Sequence, residues 1–506
     1  MNHASIWQDE VPILDRKQLP PAPGYGKALA SQGYGLYEAV ADLVDNSIDA
    51  SADRVGIHFL SDDEHLRSLV IVDNGAGMDE SGLDAAMTVG LRRDYRPGSL
   101  GKFGAGLKAA SLSNAGSLTI ASRTVGSAAA ARRLESREYA TDFSCGTVER
   151  DFARGLLDRY SEVTVPHGTV VRWDRVRSFD TIAKGGTARY LSETVDALDT
   201  HLELRFHRFI EAGLRLDIML EDALSGEISE VEECEPLNPF GHKVTGRRGY
   251  PSVFRAEIEG FGTLDLTAHI WPAKSREPQF RRGGPLQDRQ GFYFYRNQRL
   301  VQAGGWNGYR VAETHLNLAR VSIDLPNDGG EVFRLNVKKD GVTASPAFSR
   351  GLDKARDAQG RTFQEYLDDA QAVYREGGSR APERVPRIYP GKGLEPKVRK
   401  SVKNEFEEAK GEEPVSFVWV PLPDDRFFEL DRDDHIIRLN RRYRDAFNGG
   451  RRGGLNDAPV LKSLLYLQLE EFFRINRWER KRQDQLEYMN TILLAAVRTQ
   501  MDWMMR

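Results

Sequence analysis

The sequence predicts an α/β protein built from more than one unit, and three stretches carry that expectation. "ADLVDNSIDA" (41–50) has helical periodicity, with Val40, Leu43, Val44 and Ile48 on one face. "SLVIVDNGAGMD" contains the apolar run 69–72, which reads as a buried strand ending in Asp73. "YLSETVDALDTHLELRFHRFIEAGLRLDI" reads as a long helix over roughly 188–212, after which 214–219 opens a further strand. Helices alternating with strands point to sheets covered by helices.

Composition sets the class. The 506 residues carry a net charge of −4, with 40% hydrophobic and 29% charged residues. That is a globular chain long enough for roughly two to four domains. The first twenty residues lack a basic stretch followed by an apolar core, and no run of about 18 apolar residues occurs. The expectation is a cytoplasmic protein with no membrane partner. Cys145 and Cys234, isolated from each other, read as small apolar residues rather than as a disulfide or zinc framework.

The first helix poses a question of charge. Asp42, Asp45, Asn46 and Asp49 fall at i, i+3, i+4 and i+7, Glu38 extends the stripe, and no Lys or Arg occurs from Ala28 to Asp53. A solvated face is one reading. A bound cation is the other: Mg²⁺ takes oxygen ligands and usually draws most of them from phosphates and water. That second reading needs phosphate chemistry nearby.

Two later stretches supply it. Asp73 is followed by Asn74-Gly75-Ala76-Gly77, a bend whose backbone a ligand can approach closely, although hairpin punctuation explains the glycines equally well. In "RPGSLGKFGAGLKAASLSNAG", Gly98, Gly101, Gly104 and Gly106 crowd before a helical segment, 107–112. Glycines ahead of a helix start expose N–H groups to an anion, and Lys102 and Lys108 add positive charge; a plain surface loop is the bland alternative.

In order, these pieces resemble the GHKL ATPases, the superfamily of DNA gyrase B, MutL, the ninety-kilodalton heat-shock chaperones, histidine kinases and MORC proteins. The resemblance implies a Bergerat-type ATP-binding α/β sandwich, followed by a transducer α/β domain and a helix-rich C-terminal module, and hydrolysis of ATP to ADP and phosphate with Mg²⁺. Asn46 matches the residue holding Mg²⁺ against the phosphates. Asp73, with Gly75, Gly77 and Met78, matches the adenine-binding motif. Gly101, Lys102, Phe103, Gly104, Ala105, Gly106, Leu107 and Lys108 match the phosphate-wrapping lid. Gly168 and Thr169, in "HGTVVRW", match the Gly-Thr whose hydroxyl supports the adenine-binding acid. One departure matters: the catalytic base, usually Glu, is here Asp42, whose carboxylate sits roughly 1 Å or more further back, so slow hydrolysis is expected.

The "YRNQRLV" stretch (295–301) looks like the Y-x-N-x-R-L-I signature of transducer domains in MORC-like and mismatch-repair-like members. By the same resemblance Lys339, or the adjacent Lys338, would reach the γ-phosphate. The resulting division is an N-terminal strap at 1–33, an ATP-binding domain at 34–212, a transducer at 213–345, a helical linker at 346–379 and a C-terminal module at 380–506. The strap, with Pro20, Pro21, Pro23 and Tyr25, suits an extended arm, and the family implies a homodimer closing on ATP.

No resemblance reaches the last module. Arg438, Arg441, Arg442, Arg444, Arg451, Arg452, Arg474, Arg477, Arg480, Lys481 and Arg482 alternate there with aromatics. That pattern suits a DNA backbone, and equally an amphipathic surface. The reading is an ATP-gated dimeric clamp on DNA, in genome maintenance or anti-phage defence. The alternatives are a chaperone acting on a protein partner, or a nucleotide switch with little turnover.

Overall fold

The computed structural model describes residues 34–62, 65–88, 100, 106–179, 182, 186–326, 332–335, 341–377, 386–409, 411–448, 454–474 and 480–504. Residues 1–33, Gly101, Lys102, Phe103, Gly104, Ala105, Lys338 and Lys339 lie outside that set, as do Arg451, Arg452 and Arg477.

The run 69–72 is a strand covered on both faces, which is why it is continuously apolar rather than alternating. It belongs to β2 (Leu66–Asp73), antiparallel to β1 (Arg54–Ser61) on one side and to β6 (Gly168–Val176) on the other. Successive side chains point to opposite faces. Leu69 and Ile71 therefore join Val40, Leu43 and Val44 of helix α1 (Leu36–Asp49), while Val70 and Val72 pack with Leu156 and Leu157. The remaining strands, β3 (Ala115–Arg123), β4 (Ala130–Glu135), β5 (Gly146–Thr147), β7 (Arg215–Asp222) and β8 (Ile228–Glu233), complete the order β5-β4-β3-β6-β2-β1-β7-β8. Around them lie α2 (Glu80–Met87), α3 (Gly106–Asn114), α4 (Arg150–Arg159) and α5 (Thr187–Glu211). On the face of α1, Ala109 and Leu112 of α3 and Leu198, Leu202 and Phe206 of α5 fill the core.

The strand after α5 does not open a new unit at 213. β7 pairs in parallel with β1 and β8 adds outside it, so the first sheet runs on to Glu233. A long helix followed by a strand has the same sequence pattern whether the strand returns to its own sheet or starts another; a helical crossover is what a parallel neighbour requires.

The second sheet has the order β12-β11-β13-β10-β9-β16, formed by β9 (Ser252–Ile258), β10 (Gly262–Ile270), β11 (Gly291–Arg296), β12 (Arg299–Ala303), β13 (Ala319–Leu325) and β16 (Arg356–Asp357). A hairpin, β14 (Phe333–Leu335) and β15 (Val342–Ala344), stands beside it. The segment read as a linker at 346–379 is part of this unit. Helices α6 (Pro346–Lys354) and α7 (Phe363–Glu376) bury Phe348, Leu352, Phe363, Tyr366 and Leu367 in its core. An amphipathic helix needs a surface for its apolar face, and here the sheet provides it.

A third core, with Phe417, Ile437, Leu439, Tyr466 and Val497, lies within 386–504. It joins the short pair β17 (Pro386–Arg387) and β18 (Glu407–Glu408) to the sheet of β19 (Ser416–Val420), β20 (Phe428–Asp431) and β21 (Ile436–Asn440). Helices α8 (Pro396–Glu405), α9 (Pro459–Leu469) and α10 (Arg480–Met504) pack with them. Among the described residues no helix is long and apolar enough to cross a membrane.

Candidate functional site

The acidic stripe of helix α1 is buried in part and solvated in part. Asp42 is 2% exposed and Asp45 is fully buried, whereas Asn46 and Asp49 are exposed. Burying a carboxylate requires a counter-charge or donors. The counter-charge is protein: Arg299 Nε lies 2.9 Å from Asp45 Oδ1, and its Nη2 lies 3.7 Å from Asp42 Oδ1. The sequence reading assigned the stripe to Mg²⁺ and nucleotide and missed this cation, which comes from β12, more than 250 positions away. Its only signal was the arginine inside "YRNQRLV". Asp49 takes a backbone donor instead, with Leu100 N 2.7 Å from Oδ1, at the foot of the glycine-rich segment. Asn46 is left facing solvent from the same stripe.

Asp73 closes β2 with a carboxylate only 5% exposed. Gly75 N donates to Oδ1 at 2.9 Å and the Ser47 hydroxyl donates to Oδ2 at 3.0 Å. Burial pushes its pKa up to about 6, against the lowering effect of the Gly75 and Ser47 bonds and of nearby His167. The hydroxyl on the acid is thus that of Ser47, not of Thr169 as expected. Thr169 faces Asp73 in the register of β2 and β6, but its Oγ1 lies 2.9 Å from Ser122 Oγ. Ser122 in turn donates to Gly168 O and accepts from Met78 N, so Thr169 holds the acid's surroundings rather than the acid. Asn74 staples the bend from outside, its Oδ1 accepting from Asp53 N and Arg54 N.

The glycines of the bend are required by the chain itself. Gly77 has φ +72°, and a Cβ there would fall 1.9 Å from the Arg123 carbonyl oxygen. At Gly75 a Cβ would lie 2.7 Å from the Ala50 Cβ and 2.9 Å from Asp73 Oδ1. Close backbone packing around the acid, rather than ligand approach alone, fixes these positions.

The start of α3 adjoins the stripe: a Cβ on Gly106 would stand 3.5 Å from Asp42 Oδ2. Leu107 packs against the core beneath. Lys108 departs from the phosphate-contact expectation. It is 3% exposed, and its ammonium donates to Ala86 O at 2.7 Å and Thr88 O at 2.9 Å, satisfying the C-terminal carbonyls of α2.

The residues present fit a nucleotide with Mg²⁺. Asp73 offers a shielded acceptor between two donors that hold it, and Asn46 offers an accessible amide oxygen one turn beyond Asp42. Among the described residues no group of three or more His, Cys, Asp or Glu is placed to hold a metal ion. A divalent ion here would take Asn46 and fill its remaining positions from phosphates and water, which is ordinary for Mg²⁺. Cavities of about 580 and 410 Å³ open elsewhere, along α5 and the third unit, and neither is lined by α1 or β2.

Several described basic residues of the third unit pair within that unit, while Arg399, Lys400 and Lys403 of α8 pair with acids of the first. Arg438 pairs with Asp431, Arg442 with Asp424, Arg444 with Asp457, Arg474 with Glu470 and Arg482 with Glu471, and Arg441 donates to Trp419 O. Several of these pairs are exposed, Arg442 with Asp424 among them, and exposed pairs are weak enough to exchange for a phosphate.

Residues 34–142 match the family described as histidine kinase-, DNA gyrase B-, and HSP90-like ATPase. No curated protein matches the sequence. Among solved structures, the crystal structure of the N-terminal domain of a DNA repair protein is 17% identical, covering 69% of this chain and 98% of that one with a TM-score of 0.40.

Proposed function

We propose that this chain, whose residues 34–142 match the histidine kinase-, DNA gyrase B-, and HSP90-like ATPase family, binds ATP with Mg²⁺ and hydrolyses it slowly as an ATP-gated dimeric clamp. The observation that carries the proposal is Asp73: a buried carboxylate with both oxygens held by Gly75 and Ser47, at the end of a central strand. Such a group is poised to accept the adenine amino group and is costly to keep otherwise.

Each residue then has a task. Asp73 orients the base, and Gly75, Gly77 and Met78 shape the bend that presents it. Asn46 holds the metal. Gly101 to Gly106 wrap the phosphates, with Lys339 or Lys338 reaching the γ-phosphate. Asp42 takes the proton from the attacking water, its Oδ2 side turned toward the start of α3. When bound, Mg²⁺ neutralises charge developing on the transferred phosphoryl group. The shorter reach of aspartate makes turnover slow.

A second reading is a clamp or chaperone that closes on a protein partner rather than on DNA. A magnesium-dependent ATPase assay with wild-type protein and Asp42→Asn tests the enzyme. Turnover should vanish in the variant, by about 100-fold or more, while nucleotide affinity stays. Sedimentation with and without a non-hydrolysable ATP analogue tests dimer closure. ATP-dependent, salt-sensitive retention on DNA supports the DNA clamp, and its absence favours the protein partner.

A further inference from the structure

The hairpin joining β11 and β12 brings two arginines to the acidic face of α1: Arg296, buried and close enough to feel the charges of Asp45 and Asp49, and Arg299, which makes the direct ion pairs. Arg296 and Arg299 face each other in register, and the two residues between them, Asn297 and Gln298, both have positive φ, +48° and +68°. Two consecutive left-handed residues make the tight turn whose twist suits a hairpin, and a glutamine there is strained. The strain is held from outside: Arg208 of α5 donates to Gln298 Oε1 at 3.1 Å, and Arg205 of α5 donates to Leu300 O at 3.1 Å. So anchored, Arg299 leaves the second unit, passes 5.6 Å over the Phe206 ring and ends, 3% exposed, between Asp45 and Asp42.

We propose that Arg299 is a positioning residue for the reaction: it fixes the Asp42 carboxylate, so that the first unit is competent for hydrolysis only with the second unit docked. The inference rests on the reading of Asp42 as the base in an ATP site. Oδ1 of Asp42 faces the guanidinium, which leaves Oδ2 on the side of Gly106 and the start of α3. An aspartate lacks the reach of glutamate, so its rotamer matters more, and a buried positive charge 3.7 Å from Oδ1 biases that rotamer. The guanidinium ion-pairs with Asp45 through Nε at 2.9 Å and stands 3.7 Å from Asp42 through Nη2, a buried charge contact whose reach an ammonium, lacking the fork, would not reproduce at both acids. Asp45 is thereby the strut: it takes the shorter contact and sets where the rest of the group lies.

Three variants test this: Arg299→Ala, Arg299→Lys and the isosteric Asp45→Asn. Turnover, calorimetric affinity for a Mg²⁺–ATP analogue, and amide hydrogen exchange of α1 without nucleotide are measured on the full chain. Arg299→Ala should lower kcat about 100-fold while the analogue Kd stays within about threefold. Arg299→Lys should recover about tenfold of that loss, and Asp45→Asn should cost about tenfold with no further loss in the Arg299→Ala background. Exchange across 36–49 should quicken in Arg299→Ala and return toward wild type in Arg299→Lys.

Wild-type kcat in Arg299→Ala overturns the inference, as does unchanged exchange in α1. Loss of affinity and turnover together, without rescue by lysine, also overturns it, because that is the result of a merely structural arginine. Wild-type protein that binds nucleotide without hydrolysing it removes the base, and the inference with it. Wild-type protein that binds no nucleotide removes the ATP reading itself, a result separable from all the others.

Discussion

Asp73 sets stability against binding. A carboxyl whose pKa rises from 3.8 to about 6 on folding binds its proton more tightly in the folded state than in the unfolded one. Its contribution to stability is therefore full below about pH 4 and is lost as pH climbs to about 6. At pH 7 the ionised group costs about 3 kcal/mol relative to a neutral one. Asp73→Asn should remove that cost, since Oδ1 can still accept from Gly75 N and the Ser47 hydroxyl can turn to accept from the new amide. The expected result is a midpoint of thermal unfolding equal to or above wild type at pH 7, with the gain disappearing near pH 4, and no detectable nucleotide binding. For wild type the same pKa predicts nucleotide affinity that falls below pH 6, as the acceptor protonates in the empty site. At this scale the sequence was informative about Asp73 and its glycines, because a strand ending at an acid and a bend is a local pattern. Ser47 was not legible: a serine inside an acidic helix gives no sign that it will meet a carboxylate 26 positions away.

Helix α1 shows how far a single element can be read. Its apolar face emerged from periodicity and packs as expected in the first core. Its polar face did not, because the charge that balances it sits in another sheet. Three acids on that face are anchored by partners distant in sequence: Asp42 and Asp45 by Arg299, and Asp49 by Leu100 N. Helix α3 makes the same point from the other side. A lysine beside a glycine-rich segment reads as a phosphate contact, whereas Lys108 turns to the end of α2. Lys108→Met separates the two roles. If the ammonium caps α2, the variant loses about 1–3 kcal/mol of stability in denaturant unfolding, with nucleotide affinity nearly unchanged. A phosphate contact would give the reverse.

Across the whole molecule α5 is the hub. Its Asp199 and Glu203, both buried, receive Arg282 from the second unit at 3.0 and 2.8 Å and Lys400 from the third at 3.5 and 3.0 Å. Burial and the neighbouring Glu203 push Asp199 up to about 6, while Lys400 is raised by the acids around it. Lys400→Met leaves Asp199 and Glu203 with Arg282 as their cation and strips Glu232 of one of its two, so it should cost about 3 kcal/mol. The third unit should then unfold separately, as a second transition in calorimetry. None of this junction was legible. Both unit boundaries shifted, at 233 rather than 212 and with 346–377 inside the second unit, because which sheet an element joins depends on contacts distant in sequence. The α/β character, by contrast, was legible because strands and helices leave local period and punctuation, and the motifs in order supplied the rest through the resemblance they carry.

The account depends most on an adenine nucleotide occupying the space between α1 and the bend after β2. Titration calorimetry of wild type and Asp73→Asn with a non-hydrolysable ATP analogue, with and without Mg²⁺, tests this most directly. The account predicts saturable binding to wild type that strengthens with Mg²⁺ and disappears in Asp73→Asn. Equal binding by the two proteins, or none by the wild type, would contradict it.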